Sequence, residues 1–159
     1  MTTVIQRIQS AAVYADGILS GKVGRGLYLL LGVFSGDTEE DAELLAEKIA
    51  KLRIFTDENG KMNLSVNDID GEVLVVSNFT LCADYAHGNR PNYLLAAPPE
   101  RADALYRHFV SEIDRRVRFT ATGRFGADMR TEMTTDGPVT ILMDSAVLKS
   151  KRGRIGGAT

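Results

Sequence analysis

The sequence predicts an α+β fold: an antiparallel, β-rich, barrel-like sheet with two main helices along one side. Three observations predict it. Short apolar segments are separated by Gly and Asp-Gly punctuation, which is the pattern of strands joined by tight turns. Only two stretches carry apolar residues at helical spacing. The Asp-Gly pairs favour hairpins, hence antiparallel neighbours. The chain has 159 residues, 44% hydrophobic and 25% charged, which suits one folded soluble domain.

The elements follow in order. Val4 to Tyr14 is apolar and β-branched, Asp16-Gly17 is a hairpin turn, and Ile18 to Val23 returns. Gly24 and Gly26 precede Leu27 to Phe34, an unbroken apolar run that suits a buried central strand. A helix then starts at Asp37, with Glu40 three residues later in a capping-box-like pattern. Its buried face is Ala42, Leu45, Ile49 and Leu52. Arg53 to Thr56 reads as a short strand and Asp57 to Lys61 as a turn. Glu72 to Leu81 is a second buried strand, and Ala83 to Pro91 is a polar loop.

Pro98-Pro99-Glu100 opens the second helix, where proline is tolerated in the first turn. Its apolar face is Ala102, Leu105, Tyr106, Phe109 and Ile113. Val117 to Thr122 and Met129 to Thr135 read as strands. Asp136-Gly137-Pro138 reads as a sharp turn, and Val139 to Met143 as the last strand, coming back. Residues 1–148 form the expected single domain. Residues 149–159, with four basic residues and three glycines, read as a flexible basic tail or as an arm touching phosphate.

Composition narrows the chemistry. The start MTTVIQRIQS lacks the basic-then-apolar pattern of a secretory signal, and no apolar run could span a bilayer. Cys82 is the single cysteine, which fits a reducing cytoplasm. The formal net charge of −2 does not advertise nucleic-acid binding. No phosphate-binding glycine loop is present, so neither common nucleotide fingerprint applies. His87 and His108 are the only histidines, and they stand in no metal-binding spacing, so no metal or cofactor is expected.

Three stretches carry the functional reading. Ser77-Asn78-Phe79-Thr80-Leu81 ends a buried strand in polar residues. Gly88-Asn89-Arg90-Pro91 lies in the loop that follows. Gly123-Arg124-Phe125-Gly126-Ala127-Asp128-Met129 leads into Thr135-Asp136-Gly137-Pro138-Val139-Thr140. In order and spacing, together with Val4-Ile5-Gln6-Arg7, Gly24-Arg25-Gly26-Leu27 and Gly60-Lys61-Met62-Asn63-Leu64-Ser65, the chain resembles the D-aminoacyl-tRNA deacylases. The family usually has glutamine at Asn78, asparagine at Thr135 and tyrosine at Cys82, so this chain departs from the pattern at three positions.

The resemblance implies a fold of that family and a homodimer that hydrolyses the ester of D-aminoacyl-tRNA at the acceptor end. Ser77, Asn78, Phe79 and Thr80 become candidate catalytic residues, with main-chain N–H groups near Asn78 and Phe79 stabilising the oxyanion. Thr80 is a nucleophile or a positioning hydroxyl. The positioning role is favoured, because no His or Lys base adjoins it in the sequence. Gly137 and Pro138, Met129, Phe125 and Arg7 become substrate-binding candidates. In the family the Gly-Pro bond is cis and reaches into the partner's active site, held by the arginine that Arg7 resembles. Such a corner would accept from the substrate's α-ammonium and exclude an L side chain, while glycine, without a Cβ, would pass. The terminal ribose 2′-OH of the tRNA would help activate water.

Phe79 could stack on the terminal adenine or pack under its strand, and Phe125 and Met129 could be pocket walls or plain core. Arg115, Arg116 and Arg118 could touch RNA or form a solvated face. Other readings are an editing module for a mischarged L-amino acid, a non-catalytic RNA-binding homologue, and a Cys82 hydrolase.

Overall fold

The computed structural model describes residues 1–155, and the side chains of residues 1–150. The strands are β1 (Thr2–Ala15), β2 (Ile18–Val23), β3 (Gly26–Gly32), β4 (Phe55–Thr56), β5 (Met62–Leu64), β6 (Glu72–Ser77), β7 (Thr120–Thr122) and β8 (Met129–Asp144). The helices are α1 (Glu39–Ala50), α2 (Pro99–Asp114) and α3 (Ser145–Ile155). The Asp16-Gly17 hairpin forms as expected: Ala15 pairs with Ile18, and both turn residues have positive φ, 49° and 80°.

β1 organises the sheet. Its first half pairs with β3, its second half with β2, and its whole length with β8. β6 and β7 extend the sheet beyond β3. β2 then folds over toward β7 and nearly closes a barrel. The Ser20 hydroxyl donates to Thr122 O at 3.1 Å, and a Cβ on Gly21 would stand 2.6 Å from the same oxygen. Only glycine permits that approach.

Two expectations are corrected. The sheet is mixed rather than purely antiparallel, because β3–β6 and β6–β7 are parallel pairs. Each of those connections passes through a helix, α1 or α2, and returns the chain to the same end of the sheet, which is how parallel neighbours arise. Nor does Asp136-Gly137-Pro138 reverse the chain. Met129–Asp144 is one strand antiparallel to β1, with Thr135 opposite Ile8 and Thr140 opposite Gln6. β1 is long enough to pair with both halves, so residues 136–139 bulge outward opposite Arg7.

The apolar runs are explained by burial on both faces. Leu27, Leu29 and Leu31 of β3 and Val73 and Val75 of β6 face a helical layer made by Leu45, Ile49, Phe109 and Ile113. The alternate residues Tyr28, Leu74 and Val76 face the barrel interior with Ile8, Val13 and Ala121. Period-2 alternation disappears from the sequence because neither face meets water.

Helix α1 begins one residue later than expected. Thr38 is its N-cap, and Asp41, not Glu40, completes the box, accepting from Thr38 N at 2.8 Å and Thr38 Oγ1 at 3.0 Å. Asp37 is committed elsewhere: its carboxylate takes Phe34 N at 2.7 Å and the buried Met1 ammonium at 2.5 Å. The segment 149–159, expected as a tail, starts within α3, and Lys149 Nζ donates to Asp41 Oδ2 at 2.8 Å. Residues 156–159 lie outside the described residues.

Candidate active site at the end of strand β6

β3 and β6 run parallel, and both end where Leu31 pairs with Ser77. Carboxyl ends of parallel strands are a common place for ligands, because the chain turns away there and leaves main-chain groups unpaired. Asn78 N donates to Leu31 O at 2.8 Å, which is the last bond of the sheet here. A short 3-10 turn, Phe79–Cys82, follows. Asn78 caps it: its Oδ1 accepts from Thr80 N at 3.2 Å and from the Thr80 hydroxyl. Gly32 makes room for the turn, since a Cβ there would stand 2.8 Å from Leu81 Cβ.

The arrangement assigns the polar groups. Of the two main-chain N–H groups expected at the oxyanion, that of Asn78 is spent in the sheet, and the next along, that of Thr80, is spent on the cap. The Phe79 N–H, as the first of the turn, has no partner within it. The Thr80 hydroxyl donates to an amide oxygen, and among the described residues no base is hydrogen-bonded to it. Thr80 and Phe79 are exposed, while Ser77 and Asn78 are half-buried. The Phe79 ring is 60% exposed and meets Tyr93 edge-on with centroids 5.0 Å apart.

Cys82, on the same turn, is buried beneath the site with its thiol 3.4 Å from Val33 O. Burial, with a smaller contribution from the Asp37 carboxylate, pushes the thiol up to about 11. A thiol so shifted is neither ionised nor accessible near neutral pH.

Gly123 N donates to Val75 O at 3.0 Å, so the 123–129 loop lies beside the same strand end. Its two pocket candidates part company. Met129 packs toward the barrel core, close enough to Gly123 that a Cβ would stand 2.6 Å from its sulfur. Phe125 packs toward the helical layer, with its ring 5.9 Å from Tyr106. Burial, aided by Asp103, pushes the Tyr106 phenol upward, and its hydroxyl donates to Val75 O at 3.0 Å.

Arg7, Gly137 and Pro138 form a separate constellation. The Gly137–Pro138 bond is cis, and both residues are exposed. The buried Arg7 guanidinium reaches Asp136 O at 3.3 Å, Asp136 Oδ2 at 3.1 Å and Ile54 O at 2.7 Å. It thereby ties the bulge of β8 to the segment after α1. The Asp136 carboxylate and the Ile54 carbonyl were not foreseen; Asp136 was read only as a turn residue, and a carbonyl leaves no mark in the sequence.

The corner lies far from Ser77 in its own chain. Thr3, Leu31 and Ser77 are in register across β1, β3 and β6, and Arg7 is further along β1. That is roughly 13 Å along the strands and about three strand spacings across. One protomer therefore does not bring its corner to its own strand end.

The arginines expected at RNA form ion pairs, with Arg115 and Arg116 sharing one carboxylate. Arg115 and Arg116 each lie 2.5 Å from the Glu112 carboxylate, and Arg118 lies 2.6 Å from Glu72. Arg124 and Arg130 pair with Asp16 and Glu132. His108 lies on the outer helices, 3.3 Å from Glu43, and the exposed His87 sits in the loop after the site.

A barrel-like mixed sheet with a helical layer on one face, bearing a polar turn at the end of two parallel strands, defines a small α+β protein with a strand-end site. The family model for D-Tyr-tRNA(Tyr) deacylase matches residues 4–144, and the chain belongs to that family. A D-aminoacyl-tRNA deacylase of Roseiflexus castenholzii is 52% identical over 97% of this chain and 98% of its own. One from Cereibacter sphaeroides is 54% identical over 91% and 100%. Among solved structures, a c-Myc DNA unwinding element binding protein superposes with a TM-score of 0.85 at 39% identity, covering 91% of this chain and 98% of its own. A structure described as a "probable eukaryotic D-amino acid tRNA deacylase" gives 0.77 at 16% identity, over 91% and 100%, and shares the fold.

Proposed function

We propose that this protein hydrolyses the ester joining a D-amino acid, or glycine, to the acceptor end of tRNA and rejects the L-aminoacyl ester. It acts in the cytoplasm as a homodimer, without metal or cofactor. The observation that carries the reading is the strand end itself: the first N–H of a 3-10 turn beside an exposed Phe79 ring, with the Thr80 hydroxyl on an amide oxygen. Ester hydrolysis needs a donor for the developing oxyanion, and one such donor contributes about 2.7–4 kcal/mol to the barrier. Phe79 N–H is that donor. Thr80 positions rather than attacks. Water is activated by the neighbouring ribose 2′-OH, which suits a site with no side-chain base.

Selection of the D-isomer rests on the Gly137-Pro138 corner of the second protomer. Its distance from the strand end of its own chain supports a cross-protomer role. Its carbonyls accept from the substrate's α-ammonium, Arg7 keeps it rigid, and an L side chain runs into backbone. Glycine has no Cβ to exclude.

The DNA binding in the neighbour's name is not carried over to this chain, whose Arg115, Arg116 and Arg118 are ion-paired with Glu112 and Glu72. The test is deacylation of D-Tyr-, Gly- and L-Tyr-tRNA by the purified protein. Cleavage of the first two and sparing of the third is expected. Rapid L-Tyr cleavage would favour an editing module, and binding without turnover an RNA-binding homologue.

A further inference from the structure

Beyond Phe79 the surface carries a run of large exposed side chains that the chemistry above does not use. Tyr85 is 79% exposed, Leu94 86%, Leu95 52% and Tyr93 37%. They belong to the loop between the 3-10 turn and α2, which also holds the exposed Arg90. Leaving so much aromatic and aliphatic surface in water is unfavourable unless something covers it.

The loop is built rather than loose. Asp84 and Asn92 form an antiparallel bridge, with N–H to O distances of 2.9 Å in both directions. Asp84 Oδ1 also takes Ala86 N at 2.9 Å, and Leu95 O takes Ser35 N at 3.0 Å, tying the far end to the chain after β3. Tyr85 and Tyr93 each follow a residue of the bridge, so both exposed rings flank it. Tyr93 in turn touches Phe79. Phe79 and Tyr93 are thus in ring contact, and the exposed Tyr85 beside the bridge continues this aromatic line into the loop.

We infer that this line is a stacking platform for the single-stranded nucleotides that precede the terminal adenosine of tRNA. The inference rests on the deacylase reading and adds how the RNA is held. Rings spaced wider than stacked bases suit splayed single-stranded nucleotides, each base finding a π-face. The platform is continuous with the ester site through Phe79, so an acceptor end placed there runs along it. Arg90 supplies a cation for the backbone. Stacking adds affinity that a net charge of −2 does not supply.

The test compares two substrates of the intact protein: D-Tyr-tRNA and the D-tyrosyl ester of adenosine alone, which ends at Phe79. Tyr85→Ala is expected to raise KM for D-Tyr-tRNA about tenfold and to lower the kcat/KM preference for tRNA over the nucleoside ester by the same factor. Tyr85→Phe, which keeps the ring, is expected to keep the preference. Because Tyr85 is exposed, the substitution does not threaten folding. An unchanged preference in Tyr85→Ala would overturn the platform while leaving the deacylase reading intact. Failure of the unsubstituted protein on both esters would instead overturn that reading. Dissociation of an oligomer in sedimentation of Tyr85→Ala/Leu94→Ala, with the preference unchanged, would make the surface a protein contact and would also overturn the platform.

Discussion

Replacing Arg7 by methionine separates the corner from the strand that holds it, and the cost follows from the structure. The guanidinium makes two groups of bonds: Nη1 to Ile54 O at 2.7 Å, and Nε shared between Asp136 O and Oδ2 at 3.3 and 3.1 Å. Hydrogen bonds from a charged donor contribute about 1.5–3 kcal/mol each, so two sum to roughly 3–6 kcal/mol. Part of this returns, because methionine fills similar volume and no longer buries a charge. Asp136 is 29% exposed on its side chain and can rehydrate, whereas the Ile54 carbonyl loses its partner inside. The net loss is expected near 3 kcal/mol. Urea unfolding followed by circular dichroism measures it, at fixed protein concentration because subunit association would add to stability. Asp136→Asn and the double variant complete a cycle whose coupling should reach about 1–2 kcal/mol. At a temperature where Arg7→Met stays folded, kcat/KM for D-Tyr-tRNA should fall at least about tenfold, as expected when a positioned group is released. A stability loss below about 1 kcal/mol with zero coupling would show that Arg7 does not hold the corner.

Other consequences are as direct. Gly137→Ala places a Cβ 2.9 Å from Val139 N and 3.1 Å from Arg7 Nη2, at a φ of 121°; thermal unfolding should show a loss of about 2 kcal/mol, and deacylation should fall with it. Thr80→Ala should keep kcat within about tenfold, because its hydroxyl meets an amide oxygen and no base; complete loss would make Thr80 a nucleophile. Cys82 should resist alkylation of the folded protein at pH 8, since a thiol near 11 is about one part in a thousand ionised; inactivation by an alkylating reagent would revive a cysteine mechanism. Burial pushes the Asp41 carboxyl up, but bonds from Lys149, Ser145 and Thr38 outweigh it and hold it well below the usual range. Its contribution is therefore fully present above about pH 4 and is lost as pH falls through the depressed folded value. Asp41→Asn should flatten the acid limb of stability against pH, and an unchanged limb would refute the assignment.

Much of the fold could be read before any coordinates. The Asp16-Gly17 hairpin, the Pro98-Pro99 helix start and the helical spacing of Leu105, Tyr106, Phe109 and Ile113 are local signals that tertiary contacts did not override. The polar residues that close the β6 run were visible too, but the strand stops at Ser77 rather than Leu81, because Asn78 caps a 3-10 turn there. Helix α1 shows the limit of local pattern. Asp37 with Glu40 and Thr38 with Asp41 both fit a capping box, and the Asp37 carboxylate is committed to Met1 and Phe34 instead.

Local pattern is enough to give the α+β class, the strand end with its polar residues, and the lack of a familiar nucleotide fingerprint. Those features depend on neighbours within a few positions, where propensity and periodicity act. The tertiary structure alone decided that β3, β6 and β7 are parallel and that Met129–Asp144 is one bulged strand. It alone decided that Arg7 grips Asp136 and Ile54, and that Tyr93 stands on Phe79. Pairing partners and side-chain contacts across the sheet are set by which surfaces pack together, and packing between residues far apart in the chain leaves no periodicity in the sequence.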